Sequence, residues 1–267
     1  MKSKRINRSH ISTRIGIVFL LSGILSLIFS IIAESQIPAL IGLGLTFWGA
    51  LFFLFTPVRY VKGSLLGDTA VASYSTIDRI IKNFKNIEKG YYIPPYPKDV
   101  YLPDHLKGLK DPIVFISAEK NVVMPSIEEL AEGKFLLEKT KGILVAPPGL
   151  GLLFQIEKTL SIDYAKIELA ELCEALPRSI LENFNLAKDI VITPKENYID
   201  MKIFGSIYTN LYSAENSLKS IVFLGCPLVS AITCVLAKAS GKAVAIEKQQ
   251  VSPDGLTIEV RYSFFQG

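Results

Sequence analysis

The sequence predicts an α+β protein: an N-terminal transmembrane helical hairpin followed by a cytoplasmic domain with helices packed on a mainly antiparallel sheet. Two apolar segments of about 19 residues, 15–33 and 37–55, lie three residues apart, and each can cross a hydrocarbon layer about 30 Å thick. Beyond residue 189 the chain alternates apolar and polar residues as strands do, and one apolar helix interrupts the alternation.

We interpret the two apolar segments as an anchor rather than as a signal peptide or a buried soluble hairpin, because neither segment carries a charge and no cleavage site follows the first. Five Lys or Arg residues precede the first segment, and Arg59 and Lys62 follow the second. The connection 34–36 has no cation. The positive-inside rule therefore predicts a two-pass protein of the cell membrane with both termini cytoplasmic, including a basic tail over 1–14.

Small residues recur along both arms of the predicted hairpin, and Pro38 suits the first turn of the second helix. We expect the two rows to face each other, because small side chains let helix backbones approach closely in lipid. The rows are Ser22, Ser26 and Ser30 on one arm and Gly42, Thr46 and Ala50 on the other.

The charge of the chain is concentrated beside the anchor. Residues 1–62 carry a net charge of +6 and residues 63–267 a net charge of −2. Since the second part has no basic stripe with interleaved aromatic residues, we expect no nucleic-acid partner. Cys173, Cys226 and Cys234 are too few and too scattered for a disulfide framework, which agrees with a reducing cytoplasm.

The juxtamembrane region, 56–112, combines an amphipathic helix with a segment rich in proline and tyrosine. Apolar residues at helical spacing predict the helix over 68–89, which lies on the membrane, on the domain or against a second copy in a homo-oligomer. Residues 91–112 have no sustained periodicity, so we interpret them as a linker or an extended strap. Their four tyrosines favour a strap that packs.

From residue 113 to 267 the pattern is that of one compact α+β domain. The predicted strands cover 113–117, 135–137, 143–146, 190–193 and 198–204, and the predicted helices cover 148–160, 164–176 and 177–184. Pro177 suits the first turn of the last of these helices. A helix apolar on nearly every side then runs from Gly225 to Ala239 and ends at Gly241, and a hairpin with a turn at 253–255 follows.

The segment 142–153 reads strand, glycine loop and helix, an order that often holds phosphate groups. Phe154 stands where a dinucleotide fingerprint has its third glycine, and no Gly-Lys-Ser/Thr follows. We therefore interpret it as a plain turn from strand to helix.

Cys226 is the one candidate catalytic residue. A thiol at a helix start can be acidified by the free amides, yet cysteine is also a common buried apolar residue, and no adjacent base is visible. His10 and His105 form no metal site or triad. The carboxylate pairs Glu128–Glu129 and Glu168–Glu171 have the spacing of exposed helix faces. We expect no metal and no cofactor.

The order of elements over 190–264, with the helix GCPLVSAITCVLAKASGK at its centre, resembles the latter half of vinyl-reductase-type ligand-binding domains. Those domains bind small hydrophobic molecules, and Cys226 matches the cysteine that often opens their helix. Val251 and Ile258 or their neighbours replace the later cysteines of that family. The two-span hairpin with its YYIPPYP, APPG and GCPLVSA segments also resembles uncharacterised archaeal membrane proteins.

Together these observations predict a membrane-anchored cytoplasmic binding or scaffold module. Its expected partners are the lipid bilayer and either a small apolar ligand or a membrane protein. A thiol-dependent enzyme that uses Cys226 and an accessory subunit of a larger membrane complex are the alternatives.

Overall fold

The computed structural model describes residues 8–54, 63–84, 89–96, 109–119, 121–160, 167–213 and 216–265. They fall into two compact units, Met1–Val61 and Lys62–Gly267. The helices are α1 (Arg8–Ile32), α2 (Gln36–Leu54), α3 (Gly63–Ile81), α4 (Ile127–Ala131), α5 (Leu150–Leu160), α6 (Leu169–Phe184), α7 (Ile221–Leu224) and α8 (Pro227–Ser240). The strands are β1 (Gly90–Ile93), β2 (Ile113–Ser117), β3 (Leu136–Leu137), β4 (Gly142–Val145), β5 (Asp189–Pro194), β6 (Tyr198–Phe204), β7 (Ala243–Val251) and β8 (Thr257–Phe265).

The first unit consists of two antiparallel helices whose backbones touch at glycines. A Cβ on Gly23 would lie 2.7 Å from the Thr46 nitrogen, and one on Gly42 would lie 2.8 Å from the Gly23 carbonyl oxygen. Gly42 and Thr46 therefore face the other arm as predicted, but Ala50 is exposed. The facing row of α1 consists of Gly16 and Gly23 rather than the predicted serines, because only glycine allows this approach.

The serines of α1 lie beside this contact. Ser26 donates a hydrogen bond to the Pro38 carbonyl oxygen at 2.8 Å and Ser30 donates one to the Ser35 carbonyl oxygen at 2.7 Å. Ser22 bonds within its own helix, to the carbonyl oxygen of Phe19. Two of the three serines thus hold the connection between the helices instead of facing the glycine row.

Helix α1 contains a segment, Ile15–Ile32, that is long and apolar enough to cross a membrane. The apolar part of α2, Gln36–Phe52, is shorter than that segment. The described residues therefore provide one candidate membrane span, and the second predicted span is not confirmed.

The second unit is built on an eight-stranded sheet in the order β3-β4-β2-β1-β7-β8-β6-β5, in which every neighbouring pair is antiparallel. The α+β class with an antiparallel sheet is thus confirmed. Consecutive residues of a strand point to opposite faces. Tyr92 and Val114 belong to the large core beneath the helices, whereas Tyr91 and Phe115 belong to a smaller core on the other face.

Helix α3 belongs to the second unit and packs on the rest of it. Tyr74 and Ile81 are buried, and the Asp78 carboxylate accepts hydrogen bonds from the amides of Lys219 and Ser220, both at 2.8 Å. Among the three positions predicted for the amphipathic helix, the structure therefore favours the domain. The helix covers 63–81 rather than 68–89, and residues 85–88 lie outside the described part of the chain.

Strand β1 and helix α6 also differ from the predictions. Residues 90–93 form a strand at the centre of the sheet although the sequence predicts a strap there, because both faces of β1 are covered and its apolar residues do not alternate. Pro177 lies inside one continuous helix, α6, and does not begin a new one. The Pro177 ring is buried, and its nitrogen has no proton to donate to the helix ladder. Residues 97–108 of the predicted strap lie outside the described part.

The outer edge of strand β5 offers few amide donors for pairing with another strand. The Lys195 amide donates to Tyr198 of β6, so by alternation the amide groups of residues 190, 192 and 194 point away from the sheet. Pro194 has no amide proton, and the Ile190 amide donates to the Asp189 carboxylate at 2.8 Å. This edge is thereby protected against edge-to-edge association.

Candidate functional site

Cys226 lies where α7 gives way to α8. Gly225 has φ +67°, and a Cβ there would lie 2.4 Å from Val229 Cγ1, so this turn requires glycine. Cys226 is the residue before the first turn of α8, with Pro227 at the helix start. Helix α8 ends at Gly241, whose φ of +64° forms the predicted left-handed stop.

Three tyrosine hydroxyls from different elements hold this connection. Tyr74 of α3 donates to the Gly225 carbonyl oxygen at 2.6 Å, and Tyr92 of β1 contacts the Leu224 carbonyl oxygen. Tyr212 accepts a hydrogen bond from the Cys226 amide at 2.9 Å. The tyrosines therefore satisfy polar backbone groups that the end of one helix and the start of the next leave unpaired in the core.

A chain of hydrogen bonds connects this turn to the glycine loop before α5. The Gly149 amide donates to Ser230 Oγ at 3.0 Å, and Ser230 Oγ lies 2.9 Å from the Tyr92 hydroxyl. Because the Tyr92 proton is directed to the Leu224 carbonyl oxygen, Ser230 is the donor to Tyr92. Each of these four polar groups therefore has a hydrogen-bond partner.

The glycine loop itself forms the plain turn from strand to helix that the sequence predicts, from β4 into α5. A Cβ on Gly149 would lie 2.2 Å from the Ala231 nitrogen and 2.4 Å from the Pro227 carbonyl oxygen, so the loop touches the backbone of α8. The Gly149 amide is already bonded to Ser230. This glycine serves the contact between two helices.

The environment of Cys226 opposes ionisation of its thiol. The residue is fully buried, and burial raises its pKa even though the Tyr212 hydroxyl and the first amides of α8 act in the opposite direction. Burial also raises the pKa of Tyr74 and Tyr92. At neutral pH the site therefore contains neutral donors and acceptors, and the acidified thiol of a nucleophilic cysteine is not found.

All three cysteines are free and buried. Within the described ranges, no group of three or more His, Cys, Asp and Glu side chains is placed to hold a metal ion. His10 lies in α1, and His105 lies outside the described residues. The site thus offers neither a base to activate Cys226 nor a metal centre among the described groups.

The carboxylate pairs stabilise the starts of helices. Glu129 and Ser126 form reciprocal hydrogen bonds at the first turn of α4, and Glu128 belongs to the same turn. Glu168 precedes α6 and Glu171 lies in its first turn, where negative charge is favourable.

The outer face of β7, β8 and β6 is a second candidate site. Lys202 Nζ lies 2.6 Å from Glu259 Oε1, and Arg261 Nε lies 2.8 Å from Asp200 Oδ1 while its guanidinium stacks 4.3 Å from the centre of the Tyr198 ring. A shallow concave surface runs between these pairs. It is lined by Asp200, Met201, Lys202, Lys248, Gln250, Glu259, Val260 and Arg261.

Sequence reasoning identified Cys226 and the glycine loop but not the groups that surround them. Tyr74, Tyr92 and Tyr212 are far apart in the chain and belong to no motif, so only the fold brings them together. The charges of β6 and β8 belong to no motif either, because the pairing register decides which of them meet.

Comparison with known proteins shows a family but no activity. Neither a curated protein sequence nor a solved structure matches this chain. A family profile matches residues 2–264, nearly the whole chain, including the helical hairpin and every strand of the sheet up to Phe264. The chain belongs to that family, which is described as a domain of unknown function, DUF7982.

Proposed function

We propose that this protein is a membrane-anchored binding or scaffold module that presents the outer face of its sheet to a protein partner. In this proposal α1 and α2 both cross the membrane, and both termini are cytoplasmic. The observation that carries the anchor is the surface of the first unit. Large apolar side chains are exposed along both helices, among them Val18, Leu25, Ile32, Leu40 and Phe47.

Such a surface is unfavourable in water and favourable in a hydrocarbon layer. The interior of the hairpin needs no lipid, because it is formed by glycine contacts and serine hydrogen bonds. The described arms carry no charge between residues 15 and 33 or between 37 and 54. These features support a two-pass anchor over a soluble packing role for the same helices.

The anchor is tested by membrane extraction and by the reactivity of single introduced cysteines. We expect the full chain to remain in the membrane fraction after alkaline carbonate treatment. In intact cells, a membrane-impermeant maleimide should label Ser35→Cys in the connection but not Ser3→Cys in the tail. Labelling of both positions, or of the tail alone, would contradict the proposed orientation.

The partner surface is supported by the exposure of its described side chains. The outer face of β1, β2 and β4 carries a second apolar core, whereas β6 and β8 present side chains that are about half exposed, including Lys202 at 54% and Glu259 at 48%. Ion pairs at this exposure contribute little to stability. Their fixed arrangement instead provides a patterned polar surface that can discriminate between partners.

A charge exchange tests this surface with little disturbance of the fold. The double variant Lys202→Glu with Glu259→Lys keeps an ion pair but reverses its direction. Affinity purification of the full chain in mild detergent should lose the proteins that bind through this face. The matched control exchanges Arg178 and Glu182, an exposed pair on α6 at 2.8 Å, and should keep them. Equal recovery with both exchanges would exclude this face.

The version of the proposal in which the domain binds a small apolar molecule, as in vinyl-reductase-type domains, has less support. Residues 228–237 of α8 are all buried, and Gly149 lies directly against the backbone at the helix start. Native mass spectrometry of the purified chain tests this version, because a co-purifying small molecule would favour it. Resemblance to archaeal membrane proteins agrees with the anchor and adds no activity.

The thiol-enzyme alternative is tested by alkylation. Because burial raises the Cys226 pKa, iodoacetamide should modify this residue only after unfolding. Rapid modification in the folded chain, with a rate that rises through neutral pH, would restore Cys226 as a nucleophile.

A further inference from the structure

The start of helix α3 exposes two leucines that its packing on the domain does not explain. Leu65 is 52% exposed and Leu66 is 38% exposed. Farther along the same helix the exposed side chains are small or polar: Asp68, Thr69, Ala72, Ser73, Thr76 and Arg79. Large apolar exposure is therefore confined, among the described residues of α3, to its first turn.

Hydrogen bonds fix the later turns of α3 to other parts of the second unit. Tyr74 and Asp78 bond to the connections around α7, and the Asp68 carboxylate accepts a hydrogen bond from Asn210 at 2.9 Å. On the same side, Gly67 is buried and leaves no room for a Cβ, which would lie 2.0 Å from Asn210 Oδ1. The helix cannot turn its leucines inward without breaking these contacts.

The chain places this turn next to the apolar helices in sequence. Eight residues, 55–62, separate α2 from α3, and they contain Arg59 and Lys62 but no acidic residue. Basic residues beside a membrane segment are attracted to anionic headgroups. Exposed leucines next to such cations are the combination that binds a lipid surface.

We propose that Leu65 and Leu66 contact the headgroup region of the bilayer, so that α3 attaches the domain to the membrane surface. The inference rests on the proposed membrane anchor. One helix then has two roles, because its first turn meets lipid and its later turns hold the connection that leads into α8. From Leu65 to Tyr74 the helix rises about 14 Å, which separates the lipid-facing turn from the connection.

The test places an environment-sensitive fluorophore on Leu65→Cys in the full chain, reconstituted in vesicles of equal parts phosphatidylcholine and phosphatidylglycerol. The control is Val222→Cys, which replaces an apolar residue of the same unit that is 58% exposed. Leu25→Cys on α1 reports the anchor. The three native thiols are buried and should not react in the folded chain. Leu66→Cys serves as a second probe of the turn.

Lipids with a nitroxide near the headgroup should quench the label at 65 and 66 but leave the label at 222 nearly unchanged. Equal signals at 65, 66 and 222, with Leu25→Cys quenched by a nitroxide deep in the acyl chains, would overturn the lipid contact and leave the anchor intact. Absence of quenching at position 25 would overturn the anchor, and with it this inference.

Discussion

Replacing Gly149 by alanine should destabilise the second unit strongly, although the change adds one methyl group. That methyl would meet two backbone atoms of α8 at 2.2 and 2.4 Å, and a third, the Ala231 Cα, at 2.8 Å. Backbone atoms in a buried helix cannot rotate aside as the end of a side chain can. Helix α5 must therefore move away from α8, which weakens the Gly149–Ser230 hydrogen bond.

The expected loss follows from these contacts. Overpacking of a core by one methyl group costs about 1–3 kcal/mol, and a hydrogen bond of this kind contributes about 1 kcal/mol. We therefore expect a loss of about 3 kcal/mol. For a unit of this size that loss lowers the Tm by about 6–12 °C. Thermal unfolding of the full chain in mild detergent, followed by circular dichroism, measures it.

Gly151, two residues farther along in the first turn of α5, supplies the matched control. A Cβ at Gly151 meets no atom within 4 Å, so alanine there should raise the Tm by a few degrees at most, through its higher helix propensity. A Gly149→Ala chain as stable as the parent would refute the proposed close contact of α5 with α8. Equal losses of Tm in the two variants would show that glycine is required by the start of α5 itself, rather than by this contact with α8.

Three further predictions concern the core and the sheet edge. Tyr92→Phe removes the group that joins Ser230 to the Leu224 carbonyl, so the Tm should fall by the equivalent of about 1–3 kcal/mol, whereas Tyr198→Phe at the surface should change little. Burial raises the pKa of Cys173 to about 11. Between the ordinary thiol pKa and this value, the folded chain keeps a proton that the unfolded chain releases. The free energy of unfolding should therefore fall as pH rises from 9 towards 11, and less steeply in Cys173→Ala. Pro194→Val with Asp189→Ala frees the edge of β5, and light scattering should detect association that the parent lacks.

The fold could be predicted where one face of an element is buried and the other is wet. Strands β6 and β8 alternate along their length, and α8 is bounded by Pro227 and Gly241, so local sequence determined their extent. Strand β1 could not be predicted, because four residues covered on both faces carry no alternation. The sequence predicts two helices where α6 is continuous, because a proline signals a helix start, whereas the burial of the Pro177 ring is a tertiary effect.

At the candidate site, too, local sequence predicts some features and tertiary packing determines the others. Cys226 could be located at a helix start from Gly225 and Pro227, but its ionisation depends on burial by chains far away in sequence. The sequence predicts the glycine loop as a turn, yet the reason for Gly149 lies in the backbone of α8. Local patterns thus predicted where the elements begin, and long-range packing determined the chemistry at their ends.

Helices α8 and α1 are both apolar but differ in what covers them. That difference is the physical basis for the proposed anchor. In α8 the side chains from Leu228 to Ala237 are covered by the sheet and by neighbouring helices, so the protein itself satisfies them. In α1, Val18, Leu25 and Ile32 remain 65%, 66% and 76% exposed after the helix has packed on α2. Full burial of a leucine-sized side chain contributes about 1.5–3 kcal/mol of transfer free energy, and at this exposure most of it is unrealised in water. Because the glycine contacts already bring α1 and α2 as close as backbones allow, tighter packing between them cannot recover that energy, and a surrounding hydrocarbon layer can.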